Sequence, residues 1–137
     1  MMITRPAPRR SFYDNPFWEY VNNHQLRLQQ CASCSNRWYP PGPACPACNS
    51  EEWSWEPISG TATLLSWVTF ARTYFPNMPA PYTVVACQTE EGPILLADTT
   101  ADPASLHIGA PMTLRYYEAM DESSQPMTLY SWEPTRD

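Results

Sequence analysis

Four cysteines in two closely spaced pairs constrain this chain more than any other feature. Cys31 and Cys34 form one Cys-x2-Cys pair and Cys45 and Cys48 form the second, with ten residues between the pairs. A pair at this spacing sits on a tight turn that points both sulfurs the same way, so two facing pairs can hold one ion tetrahedrally with Zn–S bonds of about 2.3 Å. All four positions of the ion are then filled by protein, which is typical of a structural metal. The sequence therefore predicts a zinc ribbon.

Other uses of these cysteines stay open at this point. Disulfides could pair them, but cysteines this close together make a strained bridge, and no signal peptide precedes them. Iron in a rubredoxin-like site is the closer rival, because a tetrahedron of thiolates accepts both metals. Four thiolates leave no need for His24 or His107 as ligands. Cys87 lies in an apolar run and is expected to be a small, buried core residue.

The composition argues against nucleic-acid and membrane partners. The 137 residues include eight arginines, no lysine and fourteen acidic residues, which give a formal charge of −6. Such a surface repels a phosphate backbone, and no apolar stretch approaches the roughly 20 residues needed to cross a bilayer. We therefore expect a soluble, cytoplasmic protein. The aromatic content of 13% exceeds what a small domain needs for its own core and suggests surface rings that bind a partner.

The sequence divides into three predicted parts. They are a tail with a short, partner-facing helix over residues 1–25, the zinc ribbon over residues 26–58 and a barrel over residues 59–137. Residues 1–11 lack periodicity and are expected to be flexible or ordered only by a partner. Asp14 or Asn15 can cap the helix, with Pro16 in its first turn and an end near residue 24.

From Gly60 onward, short β-branched and aromatic runs predict strands. The five runs are residues 61–70, 82–89, 94–99, 112–118 and 127–132. Crossover helices do not fit between them, which favours a mainly β fold with a five-stranded Greek-key barrel of the OB type. Glu90, Glu91 and Gly92 are expected to form a hairpin turn. Residues 94–97 are continuously apolar, so we expect them to be buried on both sides.

Two groups of aromatic residues are candidates for binding a partner. Residues 71–81, between the first two barrel strands, contain Tyr74, Phe75 and Met78 together with three prolines. A stiff loop loses little entropy on binding, so its rings suit a partner contact. The alternative is that they fold back as a lid on the barrel core. Phe17 and Trp18 on the helix have a similar pair of interpretations, either partner contact or packing against the ribbon.

The order of these features resembles one family. It is carried by the helix with Phe17-Trp18, by Cys31-x2-Cys34, Tyr39-Pro40-Pro41 and Cys45-Pro46-Ala47-Cys48, and by Gly60-Thr61-Ala62 at the start of the barrel. The chain resembles the bacterial and archaeal proteins in which an N-terminal helix, a rubredoxin-like zinc ribbon and an OB-fold form an accessory subunit beside thiolase-like enzymes of acyl-CoA metabolism. The resemblance runs from about residue 15 to residue 132, nearly the whole chain.

This resemblance implies a non-catalytic subunit that docks on a thiolase-like partner, stabilises it and helps shape an acyl-CoA channel. The partner would be an aldolase that shortens steroid-type side chains or an acyltransferase, and contact with coenzyme A is an option. Only the four cysteines carry over as ligands of a structural zinc ion; no CoA-binding residue does. The sequence itself shows no nucleophile, base and orienting group at a recognisable spacing. Single-stranded nucleic-acid binding, rubredoxin-like electron transfer and a standalone acyl-CoA enzyme remain alternatives.

The chain departs from the common ribbon pattern after the second cysteine of each pair. That position is often glycine, because the backbone there turns through a left-handed conformation. Here the residues are Ser35 and Asn49. Asparagine tolerates this conformation better than serine, so the first turn is expected to be slightly strained or differently turned.

Overall fold

Nine strands, one α-helix and one short 3-10 helix form the computed structural model, which describes residues 3–136. In chain order they are β1 Ile3–Thr4, α1 Asp14–Asn22, β2 Arg27–Cys31, β3 Arg37–Trp38, β4 Trp53–Pro57, β5 Thr61–Phe70, β6 Tyr82–Thr89, β7 Ile94–Thr99, the 3-10 helix Pro103–Ser105, β8 Pro111–Met120 and β9 Pro126–Pro134. The predicted mainly β fold with one short N-terminal helix is confirmed. Within residues 3–136, no helix combines the length and apolar character that a bilayer crossing requires.

Helix α1 begins without the predicted side-chain cap. Tyr13 occupies the N-cap position and makes no side-chain hydrogen bond there. Asp14 lies instead in the first turn, where it accepts a hydrogen bond of 2.6 Å from the Ser11 hydroxyl. Its negative charge there interacts favourably with the positive end of the helix dipole. The helix ends at Asn22 rather than near residue 24, because the backbone of His24 turns left-handed with φ of 58°.

The ribbon is an antiparallel sheet in the order β3-β2-β4. At its centre Gln29 of β2 pairs with Trp38 on one side and Trp55 on the other. The Gln29 side chain is buried and exchanges two hydrogen bonds with the backbone of Gly42, of 2.8 and 2.9 Å. A buried amide that is fully bonded costs little, so this contact fixes the segment between the two cysteine pairs onto the sheet.

The remaining strands close the predicted five-stranded barrel in the order β5-β6-β7-β9-β8, with β8 returning to β5. All pairs around it are antiparallel except β7 with β9, which meet in parallel at Asp98 and Ser131. The bounds of β5, β6 and β7 coincide with the predicted runs. Strands β8 and β9 extend beyond theirs, because they pair continuously from Met112 opposite Pro134 to Met120 opposite Pro126.

A single apolar cluster joins helix, ribbon and barrel. Phe17 and Val21 of α1 and Leu28 of β2 are buried in the same cluster as Leu64 and Trp132 of the barrel. Burying side chains of this size supplies about 1.5 to 3 kcal/mol each in transfer free energy. The ribbon is therefore packed against the barrel through β2 rather than joined to it only by the chain.

Strand β7 corrects the expectation that residues 94–97 are buried on both sides. Leu95 is fully buried, whereas its neighbours Ile94 and Leu96 are 49% and 62% exposed. Successive side chains of a barrel strand point alternately inward and outward, and here both sets are apolar. The run therefore presents apolar side chains to solvent on the outer face.

The N-terminal segment also differs from its prediction. Residues 3–5 are bonded to the barrel rather than free: Ile3 pairs in parallel with Ala119 of β8, and the Arg5 N–H donates to the Met120 carbonyl at 3.0 Å. Strand β8 pairs with β5 only through residues 111–113. The edge of its later half is therefore open to β1, as unpaired strand edges readily accept another strand. The first two residues of the predicted tail lie outside the described residues.

Candidate metal centre and partner-binding surface

The four predicted ligand cysteines converge at one point. The sulfurs of Cys31, Cys34, Cys45 and Cys48 all lie within 4.8 Å of one another. Across the two pairs, the Cys31 and Cys48 sulfurs are 3.5 Å apart and those of Cys34 and Cys45 are 3.6 Å apart. Four sulfurs at about 2.3 Å from a central ion would stand about 3.8 Å from each other in a regular tetrahedron. The cluster therefore fits a tetrahedral thiolate site for one metal ion.

The two turns that carry the sulfurs have the same backbone form. Ser35 and Asn49 both adopt left-handed conformations, with φ of 64° and 65°, so the first turn is not turned differently from the second, contrary to one of the two expectations for Ser35. In each turn the N–H of this residue bonds back to the carbonyl of the pair's first cysteine, Cys31 at 3.0 Å and Cys45 at 2.7 Å. Serine therefore takes the same turn as asparagine.

Backbone and side-chain donors stabilise negative charge on the sulfurs. The N–H groups of Ser33 and Cys34 lie 3.3 and 3.4 Å from the Cys31 sulfur. The Cys34 N–H lowers the pKa of the Cys31 thiol to about 6, against the opposing effect of burial. The Asn36 amide donates to the Cys45 sulfur at 3.6 Å. These donors favour the thiolate, the form that binds metal, at Cys31 and Cys45, where the pKa is lowered. Neighbouring sulfurs act in the opposite direction on Cys34 and Cys48, where the pKa is raised.

The site is half enclosed by the ribbon. Cys31 and Cys45 are buried beside Trp38 and the partly buried Trp53, whereas Cys34 and Cys48 face outward. A structural tetrathiolate would be held here between the sheet and the two turns, with every coordination position taken by protein.

The other cysteine and histidine predictions are also decided by the structure. None of the five cysteines forms a disulfide, and the 3.5 Å sulfur separation is far beyond a bond of about 2.05 Å. Cys87 is fully buried, as predicted. His24 lies on the surface, 3.3 Å from the Glu118 carboxylate, and His107 is exposed. Neither histidine belongs to the metal cluster.

The two aromatic side chains of α1 lie in different environments, Phe17 in the core and Trp18 partly at the surface. Phe17 is 1% exposed and packs against Tyr39 and Tyr130, at centroid distances of 5.2 and 6.2 Å. The expectation that Phe17 meets a partner is therefore corrected: this ring packs within the chain, on both ribbon and barrel. Trp18 is only partly buried and stacks on Tyr130 at 6.0 Å. Of the two predicted helix contacts, Trp18 is the one that reaches the surface.

The loop rings are exposed. In residues 71–81, which we call the aromatic loop, Tyr74 is 79% exposed and Phe75 is 51% exposed. They therefore do not form a lid on the barrel core. A tight turn follows, in which the Met78 N–H donates to the Phe75 carbonyl at 2.9 Å. The aromatic loop thus presents two rings to solvent, as a partner-binding segment requires.

An open cleft of about 350 Å³ connects the helix ring with the aromatic loop. Trp18 lines one part of it and Met78 another, while Leu96 and Tyr130 belong to the barrel wall. The lining is mostly apolar, and a cleft of this size is at the lower end of the range for small-molecule sites. Trp18 and Met78, predicted independently from separate segments, therefore share one surface feature.

A charged cluster that the sequence did not reveal lies in the wall of this cleft. The Asp98 carboxylate accepts a hydrogen bond from the Tyr117 hydroxyl at 3.0 Å and pairs with the Arg5 guanidinium at 3.5 Å. Burial raises the pKa of Asp98, while the Tyr117 hydroxyl and Arg5 oppose that change. The three residues are remote in sequence, so only the pairing of β1, β7 and β8 in one sheet brings them together. No local motif signals such a cluster.

Together the fold and the cysteine site define a class of protein, in which a short helix and a rubredoxin-like metal ribbon precede an OB-fold barrel. Comparison with protein families agrees part by part. Residues 18–54 match the model of the ChsH2 rubredoxin-like zinc ribbon domain, and residues 55–116 match the model of the ChsH2 C-terminal OB-fold domain. The chain belongs to the ChsH2 family.

Two curated relatives are 34% identical to this chain. One, from Thermomonospora curvata, is named probable enoyl-CoA hydratase alpha subunit and matches 125 residues, 90% of this chain and 38% of the relative. The other, from Mycobacterium tuberculosis, is named 3-oxo-4,17-pregnadiene-20-carboxyl-CoA hydratase alpha subunit and matches 86% of this chain and 36% of the relative. The chain thus spans little more than a third of the length of these relatives.

Two solved structures share the architecture. A chain of the Ltp2-ChsH2(DUF35) aldolase superimposes with a TM-score of 0.83 at 29% identity, over 93% of this chain and 98% of that one. A DUF35 family protein of unknown function from Sulfolobus solfataricus gives a TM-score of 0.61 at 12% identity, over 92% of this chain and 87% of that one. The second likeness concerns the fold alone.

Proposed function

We propose that this chain is a non-catalytic accessory subunit that docks on a thiolase-like enzyme acting on acyl-CoA, stabilises it and helps shape the acyl-CoA channel. The observation that carries the proposal is the likeness to a chain of an aldolase assembly over almost the full length of both chains. Helix, ribbon and barrel are all included in that likeness. A cytoplasmic location fits as well, because free thiolates persist in a reducing compartment.

Carbon–carbon cleavage is the reaction that best accounts for a chain that is similar both to hydratase subunits and to a chain of an aldolase. Hydration of an enoyl-CoA places a hydroxyl on the β-carbon. That product is what a retro-aldol reaction consumes: the hydroxyl loses its proton, the Cα–Cβ bond breaks, the β-carbon becomes a carbonyl and the acyl-CoA carbanion takes up a proton. The names of the relatives contain both a hydratase and an aldolase. We therefore favour cleavage of a β-hydroxyacyl-CoA, of the steroid side-chain type, over acyl transfer.

The metal in this proposal is a structural zinc ion held by the four cysteines. Zinc is preferred to iron because the matching family model is a zinc ribbon. When bound, the ion supplies folding free energy to a segment too small to bury a sufficient core of its own. It leaves no position for water or substrate, so the chemistry belongs to the partner.

The partner-binding surface in this proposal consists of Trp18 and the aromatic loop with Tyr74, Phe75 and Met78. Large, exposed rings are enriched at protein interfaces and account for much of their binding energy. The aromatic loop and the cleft beside it would then lie at the boundary of the two subunits. Acyl-CoA contact is proposed for that boundary, without assigning a residue to coenzyme A.

The experiment that tests the proposal is reconstitution with a thiolase-like protein from the same source. Light scattering after size exclusion is expected to show a hetero-oligomer with the parent chain. Phe75→Ala should weaken that complex by about tenfold or more, as expected for a buried interface ring, without lowering the unfolding midpoint of the isolated chain. Ile108→Ala is the matched control, because Ile108 is 74% exposed and lies outside both the aromatic loop and the cleft. Equal loss of stability and complex formation in Phe75→Ala would contradict the assigned surface.

A second candidate, partnership with a hydratase, is favoured by the names of the two curated relatives. It places this chain beside an enoyl-CoA hydratase rather than a cleaving enzyme. Addition of the chain to such a hydratase would then raise its turnover or form a stable complex. If only the thiolase-like protein is bound, this second candidate fails and the first stands.

A further inference from the structure

The segment formed by residues 3–8, which we call the arm, lies against the barrel. Ile3 and Thr4 pair with Ala119 and Met120 at the open edge of β8. Farther along, the Ala7 N–H points to the Glu122 carboxylate, with distances of 3.3 and 3.2 Å to its two oxygens. The arm is thus bonded at both ends to the β8–β9 hairpin.

The same arm is bonded to the aromatic loop. The Thr4 hydroxyl donates to the Asn77 carbonyl at 2.9 Å. The Asn77 side-chain amide donates to the Glu122 carboxylate at 3.2 Å. Glu122 therefore accepts hydrogen bonds from the arm and from the aromatic loop at once, and the three segments meet at one carboxylate.

The junction at Asn77 fixes the part of the aromatic loop that carries the rings. Met78, the next residue, lines the cleft together with Arg5 and Pro6 of the arm. Met78 is also tied to Phe75 by the hydrogen bond that closes the turn. The orientation of Phe75 thus depends on a turn that is held from outside by the hydrogen bond between Thr4 of the arm and Asn77.

We infer that the arm is a strap that positions the aromatic loop for partner docking, and that Glu122 is the positioning residue that fastens the two. This inference rests on the proposed function, since it assigns a role to the loop rings. The bonds concerned are exposed, and each such bond has a small net effect. The strap can therefore open locally while the barrel stays folded, as peripheral segments commonly do.

A protease site unique to the aromatic loop makes the strap measurable without any partner. The chain contains no lysine, and Arg72 is exposed within the aromatic loop. Arg72→Lys therefore creates a single site for endoproteinase Lys-C, and its cleavage rate reports opening of that loop. Glu122→Ala is then added to remove the fastening, and Glu51→Ala, which removes an exposed ribbon carboxylate, is the matched control.

Loss of the fastening is expected to raise the cleavage rate about tenfold, the factor that corresponds to losing one or two exposed hydrogen bonds. The control should cleave at the parent rate, and all variants should keep the parent unfolding midpoint. Thr4→Val, which removes only the bond from arm to loop, should raise the rate in the same direction. An unchanged rate in both Glu122→Ala and Thr4→Val would overturn the inference.

Binding to the reconstituted thiolase-like partner separates this inference from the proposed function. If the strap positions the rings, the affinity of Glu122→Ala falls in proportion to the fraction of molecules in which the strap is still closed. That fraction is obtained by comparing the cleavage rate with the rate for an unstructured peptide of the same sequence. A variant that is cleaved at the rate of the unstructured peptide but binds with parent affinity would overturn the positioning role. Failure of the parent chain to bind any such partner would refute the proposed function, while the cleavage rates would still report whether the arm holds the loop.

Discussion

The surroundings of the five cysteines separate the four of the cluster from Cys87. In the cluster, N–H donors lower the pKa of Cys31 to about 6, whereas the neighbouring sulfurs help to raise the pKa of Cys48 to about 12. Cys87 lies in the core outside the cluster, where burial raises the pKa of its thiol to about 12. The convergence of four sulfurs therefore distinguishes the ligand set from the core thiol, and spacing in the sequence was sufficient to tell them apart.

Replacement of a buried ligand is expected to remove the metal. Cys45→Ser should lower the zinc content measured by plasma mass spectrometry to near zero and the unfolding free energy by several kcal/mol, because metal binding and folding of the ribbon are coupled. Cys87→Ala is the matched control and should retain one metal ion per chain. A Cys45→Ser protein with full metal content and parent stability would rule out the tetrathiolate site.

Asp98 allows a prediction of pH dependence. Its folded-state pKa is raised above 3.8 by burial, so the folded chain binds this proton more tightly than the unfolded chain. The contribution of Asp98 to the unfolding free energy therefore grows as the pH falls through the folded pKa and is lost as the pH rises through it. Denaturant unfolding should show parent stability relative to Asp98→Asn improving between neutral buffer and about pH 4. A constant difference would mean that the pKa is not raised.

At the scale of elements, the register of the barrel strands decides which apolar residues are buried and so contribute to stability. β7 shows this most clearly, because Leu95 is fully buried while Leu96 is 62% exposed. The continuous apolar run gave no sign of this difference. Apolar and polar residues do not alternate along a strand whose two faces are both apolar, so the sequence gives no sign of which face is buried. Only the closed barrel shows which face points inward.

The two leucines give a matched pair of substitutions. Leu95→Ala should lower the unfolding free energy by about 2 to 5 kcal/mol, through lost burial and the cavity left behind. Leu96→Ala should change it by less than about 0.5 kcal/mol. Chemical denaturation of the two variants measures both. Comparable losses would place β7 in a different register.

The sequence predicted the elements whose signals are local. Strands β5, β6 and β7 have the expected bounds, because turn residues separate short β-branched runs. The arm was not predicted, since its pairing depends on an open stretch of the β8 edge that no local pattern encodes. The same holds for Glu122, whose partners lie in segments remote from it in sequence. The cluster of Asp98, Tyr117 and Arg5 beside the partner-binding surface was not predicted for the same reason, since its members are also remote from one another in sequence.

At the scale of the whole molecule, one core connects the metal ribbon with the barrel. Leu28 of the ribbon and Phe17 of the helix are buried in the cluster that contains Trp132 of the barrel. Because helix, ribbon and barrel share this core, they form one folded unit, which agrees with a structural likeness to a solved chain that runs through all three parts. The aromatic residues that exceed the needs of a small domain are divided between this shared core and the surface.

Metal removal should therefore affect the whole chain. Chelation of zinc is expected to lower the thermal midpoint and to unfold ribbon and barrel in one transition, because β2 contributes to both. Far-ultraviolet circular dichroism and tryptophan fluorescence should report coincident curves. Two separated transitions would show that the ribbon and the barrel are independent.

Turnover of a β-hydroxyacyl-CoA by the reconstituted pair is the decisive measurement for the accessory role. We predict that this chain alone produces no cleavage and that mixing it with the thiolase-like partner gives both a hetero-oligomer and a rate well above that of the partner alone. Cleavage by the isolated chain, or a partner that neither binds it nor responds to it, would contradict the accessory role.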